Sequence, residues 1–149
     1  MRIRSIGVVG AGTMGGGIAA LAASAGVPVV LLDIPGERER NEPAKRGLDR
    51  ALKSRPPSFM DTRRARLIIT GNIEDDLALL ADCDWIIEAV VEQPRPKRAL
   101  YEQLEPLLGD RTIVSSNTSG IPMRVLTENR SDTFRKRFFG PHFFNPPRY

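Results

Sequence analysis

The chain has 149 residues, 41% of them hydrophobic and 27% charged, which fits a single globular domain. The sequence contains no run of 18 apolar residues, so it predicts no membrane-spanning helix. The single cysteine, Cys83, excludes an internal disulfide. The formal net charge is +4, and the N-terminus shows no signal-peptide pattern. We therefore expect a soluble, cytoplasmic protein in which Cys83 is a small buried hydrophobic residue.

The chain opens with an apolar strand, predicted over residues 3–9, which runs directly into the sequence GAGTMGGG. Gly10 permits a tight turn out of the strand, Gly12 lets a diphosphate approach the backbone, and Gly15 lets the next helix pack closely on the sheet. Three successive glycines would be costly in a helix that did not need them. The pattern therefore predicts a dinucleotide-binding turn.

An alanine-rich helix is predicted over residues 13–25, with Gly26 as its C-terminal cap. The unpaired N–H groups at its start are suited to hold phosphates, so Thr13 and Met14 join the candidate cofactor-binding residues. Met14 is interpreted equally well as a residue that fills a gap in the packing. Gly17, inside the first turn, indicates close packing or the approach of a ligand.

The second predicted strand, residues 29–33, ends in Asp33. A carboxylate at this point of a dinucleotide-binding unit bonds the hydroxyls of the adenosine ribose, whereas a 2′-phosphate would meet a negative charge. The sequence therefore predicts NAD rather than NADP as the cofactor.

Residues 35–66 contain ten basic and five acidic residues, so the positive charge of the chain is concentrated there. Only one aromatic residue, Phe59, lies among them, and the acids are interleaved with the bases, which argues against nucleic-acid binding. A solvated helical face is the first interpretation of this segment, and a patch that meets a small phosphorylated partner such as coenzyme A is the second.

Apolar strands alternate with helical segments along the whole chain, and the strands are apolar on both faces, as in a covered parallel sheet. This pattern predicts an α/β domain over residues 1–149 with a doubly wound, mostly parallel sheet of the Rossmann type. The further strands are predicted at 67–70, 84–90, 112–116 and 137–143, and the further helices at about 38–54, 76–81, 96–108 and 121–128.

Polar or glycine- and proline-rich segments follow three of the strands, at residues 88–92, 115–120 and 139–147. Ligands of such sheets bind at the carboxyl ends of the strands, so an active site is expected where these segments meet. His142 is the only histidine and lies in the last of them. Imidazole is suited to accept a hydroxyl proton near neutral pH, although a lone histidine at a strand end is more often structural.

Ser119 and Asn117 are candidates to form a hydrogen bond with the substrate oxygen whose proton His142 would accept. Their other interpretation is local: such side chains readily bond nearby backbone groups, and Ser119 is placed to cap the helix that follows. Glu92 and Lys97 have the alternative of a surface ion pair of little energetic value. Nothing in the sequence indicates a metal site.

The chain resembles the NAD-binding domain of the L-3-hydroxyacyl-CoA dehydrogenases, which act in the beta-oxidation of fatty acids. The resemblance covers almost the whole chain. It rests on GAGTMGGGIA, on Asp33, on IIEAVVE at residues 86–92 followed by Lys97, on SNTS at 116–119 and on HFFNP at 142–146.

The resemblance implies that the enzyme oxidises the 3-hydroxyl of an L-3-hydroxyacyl-CoA with NAD. In that reaction His142 accepts the hydroxyl proton and Ser119 bonds the 3-oxygen, with Asn117 in the same loop. Glu92 and Lys97 match positions that contact the ribose and nicotinamide side of the cofactor, and Asp33 matches the acid on the adenosine ribose.

The family also has a glutamate that pairs with the histidine and a helical C-terminal domain that closes over the acyl-CoA and forms a homodimer. Both lie beyond Tyr149, so we expect this chain to be a piece of a longer dehydrogenase that turns over substrate poorly or not at all alone. Coenzyme A contacts of the family are not recognisable, although Arg50, Lys53 and Arg55 are available. A dehydrogenase of a free hydroxy acid or sugar acid, or a non-catalytic nucleotide-binding domain, remains the alternative.

Overall fold

The computed structural model describes residues 2–149, and six parallel strands form one sheet in it. The strands are β1 (Ile6–Val9), β2 (Val29–Asp33), β3 (Ile68–Asn72), β4 (Trp85–Glu88), β5 (Ile113–Ser116) and β6 (Phe138–Phe139). They lie in the order β3-β2-β1-β4-β5-β6. The strand order reverses between β1 and β4, and this reversal is where a doubly wound sheet binds its ligand. The predicted fold class is confirmed.

Helices cover both faces of the sheet, and each face has its own apolar core. The α-helices are α1 (Thr13–Ser24), α2 (Glu42–Lys53), α3 (Pro94–Leu104), α4 (Met123–Leu126) and α5 (Asp132–Lys136); short 3₁₀ helices span Thr62–Leu67, Leu77–Asp82 and Glu105–Leu107. One core joins α1 and α2 to side chains of β1–β4, and the other joins α3, α4 and α5 to side chains on the opposite face of the sheet.

Several predicted boundaries were wrong. Helix α3 begins at Pro94 and not at residue 96, because a proline in the first turn needs no partner for the N–H that it lacks. Strand β4 ends at Glu88, and β6 keeps only two paired residues before the chain leaves the sheet. Helix α5, which Ser131 caps by accepting a hydrogen bond from the backbone N–H of Phe134, was not predicted.

Two smaller predictions are confirmed. Gly26 has a φ of 85° just after α1, a conformation that favours glycine and ends the helix. Cys83 is only 3% exposed, and its burial raises the pKa of the thiol to about 11. Among residues 2–149, no helix is both long enough and apolar enough to cross a bilayer.

Candidate active site at the carboxyl ends of the strands

The glycine turn has the geometry of a ligand-binding backbone. Gly10 has a φ of 99°, and a Cβ at Gly15 would lie 1.7 Å from the carbonyl oxygen of Gly10, so only glycine allows α1 to pack this close. A Cβ at Gly12, in contrast, would meet no atom within 4 Å. The turn is thus closed towards the protein at Gly15 and open towards solvent at Gly12.

The other glycines of this motif serve packing. A Cβ at Gly17 would lie 3.0 Å from the ring of Pro147, so Gly17 accommodates the segment that follows β6. A Cβ at Gly16 would lie 3.0 Å from the carbonyl oxygen of Gly47 in α2. The close packing predicted for Gly17 is confirmed, and its partner is the segment that carries His142.

Asp33 braces the glycine turn. One carboxylate oxygen accepts a hydrogen bond from the backbone N–H of Ala11 at 2.8 Å, and the other accepts one from Ile34 at 2.7 Å. Each oxygen keeps a lone pair for a further donor such as a ribose hydroxyl. Asp33 also lines a cleft of about 300 Å³, mostly apolar, whose wall includes Gly10, Gly12, Ile34, Ile73, Val90, Val91, Pro96 and Leu100.

The loops after β5 and β6 are tied together by one hydrogen bond. The side-chain oxygen of Asn117 accepts it from the backbone N–H of Phe143 at 3.2 Å. The exposed ring of His142 packs edge-on to Phe144, with ring centroids 5.8 Å apart, and forms no side-chain hydrogen bond within residues 2–149. The predicted SNTS and HFFNP segments therefore meet at one edge of the sheet.

Glu92 holds the loop that carries Ser119. Its Oε1 accepts hydrogen bonds from the hydroxyl of Thr118 at 2.5 Å and from the backbone N–H groups of Ser119 and Gly120 at 3.0 and 3.2 Å. Partial burial alone would raise the pKa of Glu92, but the bonds from Thr118 and Ser119 and the charge of Lys97 outweigh it and hold that pKa below its usual value.

Ser119 itself is exposed, and its hydroxyl lies 3.4 Å from Glu92. The capping alternative does not apply to it, because α4 has Pro122 as its N-cap and no side chain caps that helix. The local bond in this loop is made by Thr118, which accepts it from the backbone N–H of Ile121. The hydroxyl of Ser119 thus faces solvent at the site, next to the carboxylate of Glu92.

Lys97 forms the ion pair with Glu92 that the alternative expected, but its ammonium group is buried and does not lie at the surface. It is 1% exposed, and its Nζ lies 2.6 Å from Glu88 and 3.4 Å from Glu92. Glu88 and its further hydrogen-bond partners, Tyr101 and Ser116, were not among the predicted site residues. The available signal was an acidic residue at the end of the apolar strand β4, where no charge is expected unless it is paired.

Much of the basic segment after β2 is engaged in ion pairs at the surface. Lys53 pairs with Asp49 at 2.7 Å, and Arg40 pairs with Glu74 and Asp75. The solvated face is therefore the better interpretation of this segment. Arg50 differs, since it donates to the carbonyl oxygen of Ala11 in the glycine turn at 3.4 Å.

The chain is similar to known proteins over almost its whole length. The model of the 3-hydroxyacyl-CoA dehydrogenase NAD-binding domain matches residues 5–149. A probable 3-hydroxyacyl-CoA dehydrogenase of Deinococcus radiodurans is 54% identical over 100% of this chain and 44% of its own length. A putative fatty acid oxidation complex trifunctional enzyme of Rickettsia felis is 42% identical over 99% of this chain and 21% of its own.

Among solved structures, 3-hydroxybutyryl-CoA dehydrogenase of Escherichia coli K12 superposes with a TM-score of 0.80 at 30% identity. The match covers 99% of this chain and 31% of that one. The chain thus spans less than half the length of each of these relatives.

Proposed function

This chain belongs to the family of NAD-binding domains of 3-hydroxyacyl-CoA dehydrogenases, and we propose on that premise that it is the cofactor-binding part of such an enzyme. The proposed reaction is the oxidation of the 3-hydroxyl of an L-3-hydroxyacyl-CoA to a 3-oxoacyl-CoA. The observation that carries the proposal is the hydrogen bond between Asn117 and the backbone of Phe143, because it brings the Ser119 and His142 segments together. The His142 segment in turn packs through Pro147 on Gly17 of the glycine motif.

The residues present fit the adenosine diphosphate half of NAD. Gly12 offers open backbone to the phosphates, and the first N–H groups of α1, at Thr13 and Met14, are suited to bind them. Asp33 has lone pairs free for the ribose hydroxyls, and the apolar cleft beside it is suited to an adenine ring. The bound cofactor supplies the hydride acceptor of the reaction.

In the proposed mechanism, the hydroxyl of Ser119 donates a hydrogen bond to the 3-oxygen of the substrate and fixes its position. His142 accepts the hydroxyl proton as the C–H bond at the same carbon breaks. Asn117 keeps the two segments at a fixed separation. Glu92 orients Ser119 through the backbone of its loop, and Lys97 lies behind Glu92.

The remaining parts of the proposal concern the longer protein. A helical C-terminal domain would close over the acyl-CoA, supply the carboxylate partner of His142 and form the homodimer. The cytoplasm is the proposed location. The relatives named as dehydrogenases or as parts of fatty acid oxidation enzymes support this assignment of substrate class.

A single-turnover assay tests the substrate class. The chain, in excess over NADH, is mixed with acetoacetyl-CoA or with free acetoacetate, and the absorbance of NADH is followed. We expect slow loss of NADH with acetoacetyl-CoA, slower loss with acetoacetate, and no enzyme-dependent loss for His142→Ala. Equal rates with the two substrates would favour a dehydrogenase of free hydroxy acids. Binding of NADH with no turnover that depends on His142, even when the C-terminal part of a related dehydrogenase is joined to the chain, would favour a non-catalytic nucleotide-binding domain.

A further inference from the structure

Glu88, at the carboxyl end of β4, is a fully buried carboxylate that accepts four hydrogen bonds. Oε1 accepts from Nζ of Lys97 at 2.6 Å and from the backbone N–H of Val90 at 2.8 Å. Oε2 accepts from the hydroxyls of Tyr101 at 2.5 Å and Ser116 at 2.6 Å. These donors come from α3, from β5 and from the turn after β4, so one side chain joins three elements next to the active site.

Lys97 connects this buried carboxylate to the surface of the site. Its ammonium group has three N–H donors, and three acceptors lie around it: Glu88, the carbonyl oxygen of Val90 at 3.3 Å and Oε2 of Glu92 at 3.4 Å. The other oxygen of Glu92 accepts the bonds from the loop at residues 117–120. A continuous chain of charged contacts therefore runs from the core to the backbone of Ser119.

Stability alone does not account for these charges. Replacing a buried ion pair with apolar residues of similar volume often leaves a protein equally or more stable. What an apolar pair would not provide is a fixed direction for the Glu92 carboxylate, because dispersion contacts are not directional whereas charge-assisted hydrogen bonds are.

We propose that Glu88 is a positioning residue of the active site, which through Lys97 and Glu92 fixes the loop that carries Ser119. This inference rests on the proposed function for the role of Ser119, but the geometry of the loop is testable without it. It also assigns Glu92 a second task beside any contact with the cofactor, since its Oε1 already holds the 117–120 loop.

The first test is Glu88→Gln, which keeps the shape of the side chain and removes its charge. The readout is hydrogen exchange at the backbone amides of Ser119 and Gly120, measured by NMR on the whole chain. Loosening Lys97 should weaken the bonds that these amides donate to Glu92, and we expect their exchange to become about tenfold faster, because hydrogen bonds to a charged group are stronger than those between neutral groups. Amides of the glycine turn should exchange as in the wild type.

The second readout separates the two halves of the cofactor. ADP-ribose lacks the nicotinamide, so its affinity should be unchanged in Glu88→Gln, while the affinity for NADH should fall. A role in overall stability alone would not divide the two ligands in this way. If the wild type binds neither ligand, the proposed function fails, while the exchange of the loop amides still decides the positioning role.

The matched control is Thr112→Val, which removes another buried hydrogen bond of the sheet, from Thr112 to the carbonyl oxygen of Cys83 at 3.1 Å, far from the carboxyl ends. It should lower stability without changing exchange at Ser119. If Glu88→Gln does not fold, Tyr101→Phe deletes one donor to Glu88 and should show a smaller effect on the same amides. Unchanged exchange at Ser119 and Gly120 in a folded variant at Glu88 or Tyr101 would overturn the proposal.

Discussion

At the scale of single residues, two glycines of the same turn have opposite surroundings. The space for a Cβ is open at Gly12 and is filled by the carbonyl oxygen of Gly10 at Gly15. Gly12 also has a φ of −66°, which any residue adopts. We therefore expect Gly12 to be required for binding of the ligand and Gly15 to be required for the stability of the fold.

This difference predicts the outcome of a pair of substitutions. Gly12→Ala should cost less than about 1 kcal/mol of folding free energy, the range for a change at a helix N-cap, but should weaken NADH binding at least about tenfold. Gly15→Ala should cost about 3 kcal/mol, because the backbone must shift to accept the methyl group. Urea denaturation and calorimetric titration check both. A Gly15→Ala variant as stable as the wild type, or a Gly12→Ala variant that binds NADH with wild-type affinity, would contradict this assignment.

The residue scale is also where sequence reasoning was most accurate and where it failed. The roles of the turn glycines were predictable because each depends on the local conformation or packing of the backbone. Lys97 was not, because its pattern on a helix is that of a solvated residue, and its burial depends on Glu88, nine positions earlier in a different element. The acidic residue at the end of β4 indicated that a partner exists, but the identity of that partner is known only from the relative positions of the two elements.

At the scale of elements, the end of α3 and the start of α5 are joined through Glu105. Its carboxylate accepts a hydrogen bond from Arg130 at 2.9 Å and one from the backbone N–H of Ser131 at 2.9 Å. Partial burial would raise the pKa of Glu105, but the bonds from Ser131 and the charge of Arg130 lower it below its usual value of 4.5. The folded state thus favours the ionised carboxylate.

The sign of the pH dependence follows. Because the pKa of Glu105 is lower in the folded state, its stabilising effect is complete above pH 4.5 and is lost as the pH falls through the folded-state value. We expect Glu105→Gln to cost about 1–2 kcal/mol at neutral pH, and the difference from wild type should shrink steadily in acid. Urea denaturation across this pH range measures it.

The control for this prediction is Glu102→Gln, in the last turn of α3 and three residues before Glu105. Glu102 is exposed and forms no ion pair within residues 2–149, so its substitution should change stability little at any pH. A Glu105→Gln cost that is the same at neutral and acid pH would show that the loss is one of packing and not of charge.

Element boundaries were harder to predict than element types. All six strands were expected from their apolar runs, but the start of α3 and the existence of α5 depend on capping. Pro94 lies in the first turn of α3 but outside the predicted helix of residues 96–108, and the five residues of α5 are too few to show a helical period. Ser131, which caps α5, is recognisable as a cap only once the helix is known.

At the scale of the whole molecule, the alternation of strands and helices limits the strand order to a few arrangements, because the crossovers between parallel strands are right-handed. The order observed among them is β3-β2-β1-β4-β5-β6. That order places the exits of β1, β4, β5 and β6 along one edge of the sheet. The candidate site was therefore predictable as a set of residues. Its internal contacts were not, since the bond between Asn117 and Phe143 joins two loops whose conformations the sequence does not specify.

The central claim is that this domain binds NAD, and calorimetric titration with NADH and, separately, with NADPH tests it most directly. We expect the wild type to bind NADH at least about tenfold more tightly than NADPH, because Asp33 accepts ribose hydroxyls and repels a 2′-phosphate. Asp33→Ala should lose this preference, while Asp33→Asn, which keeps an acceptor for the N–H of Ala11, should lose it with less damage to the turn. Equal affinity for the two nucleotides, or no binding of either, would contradict the account.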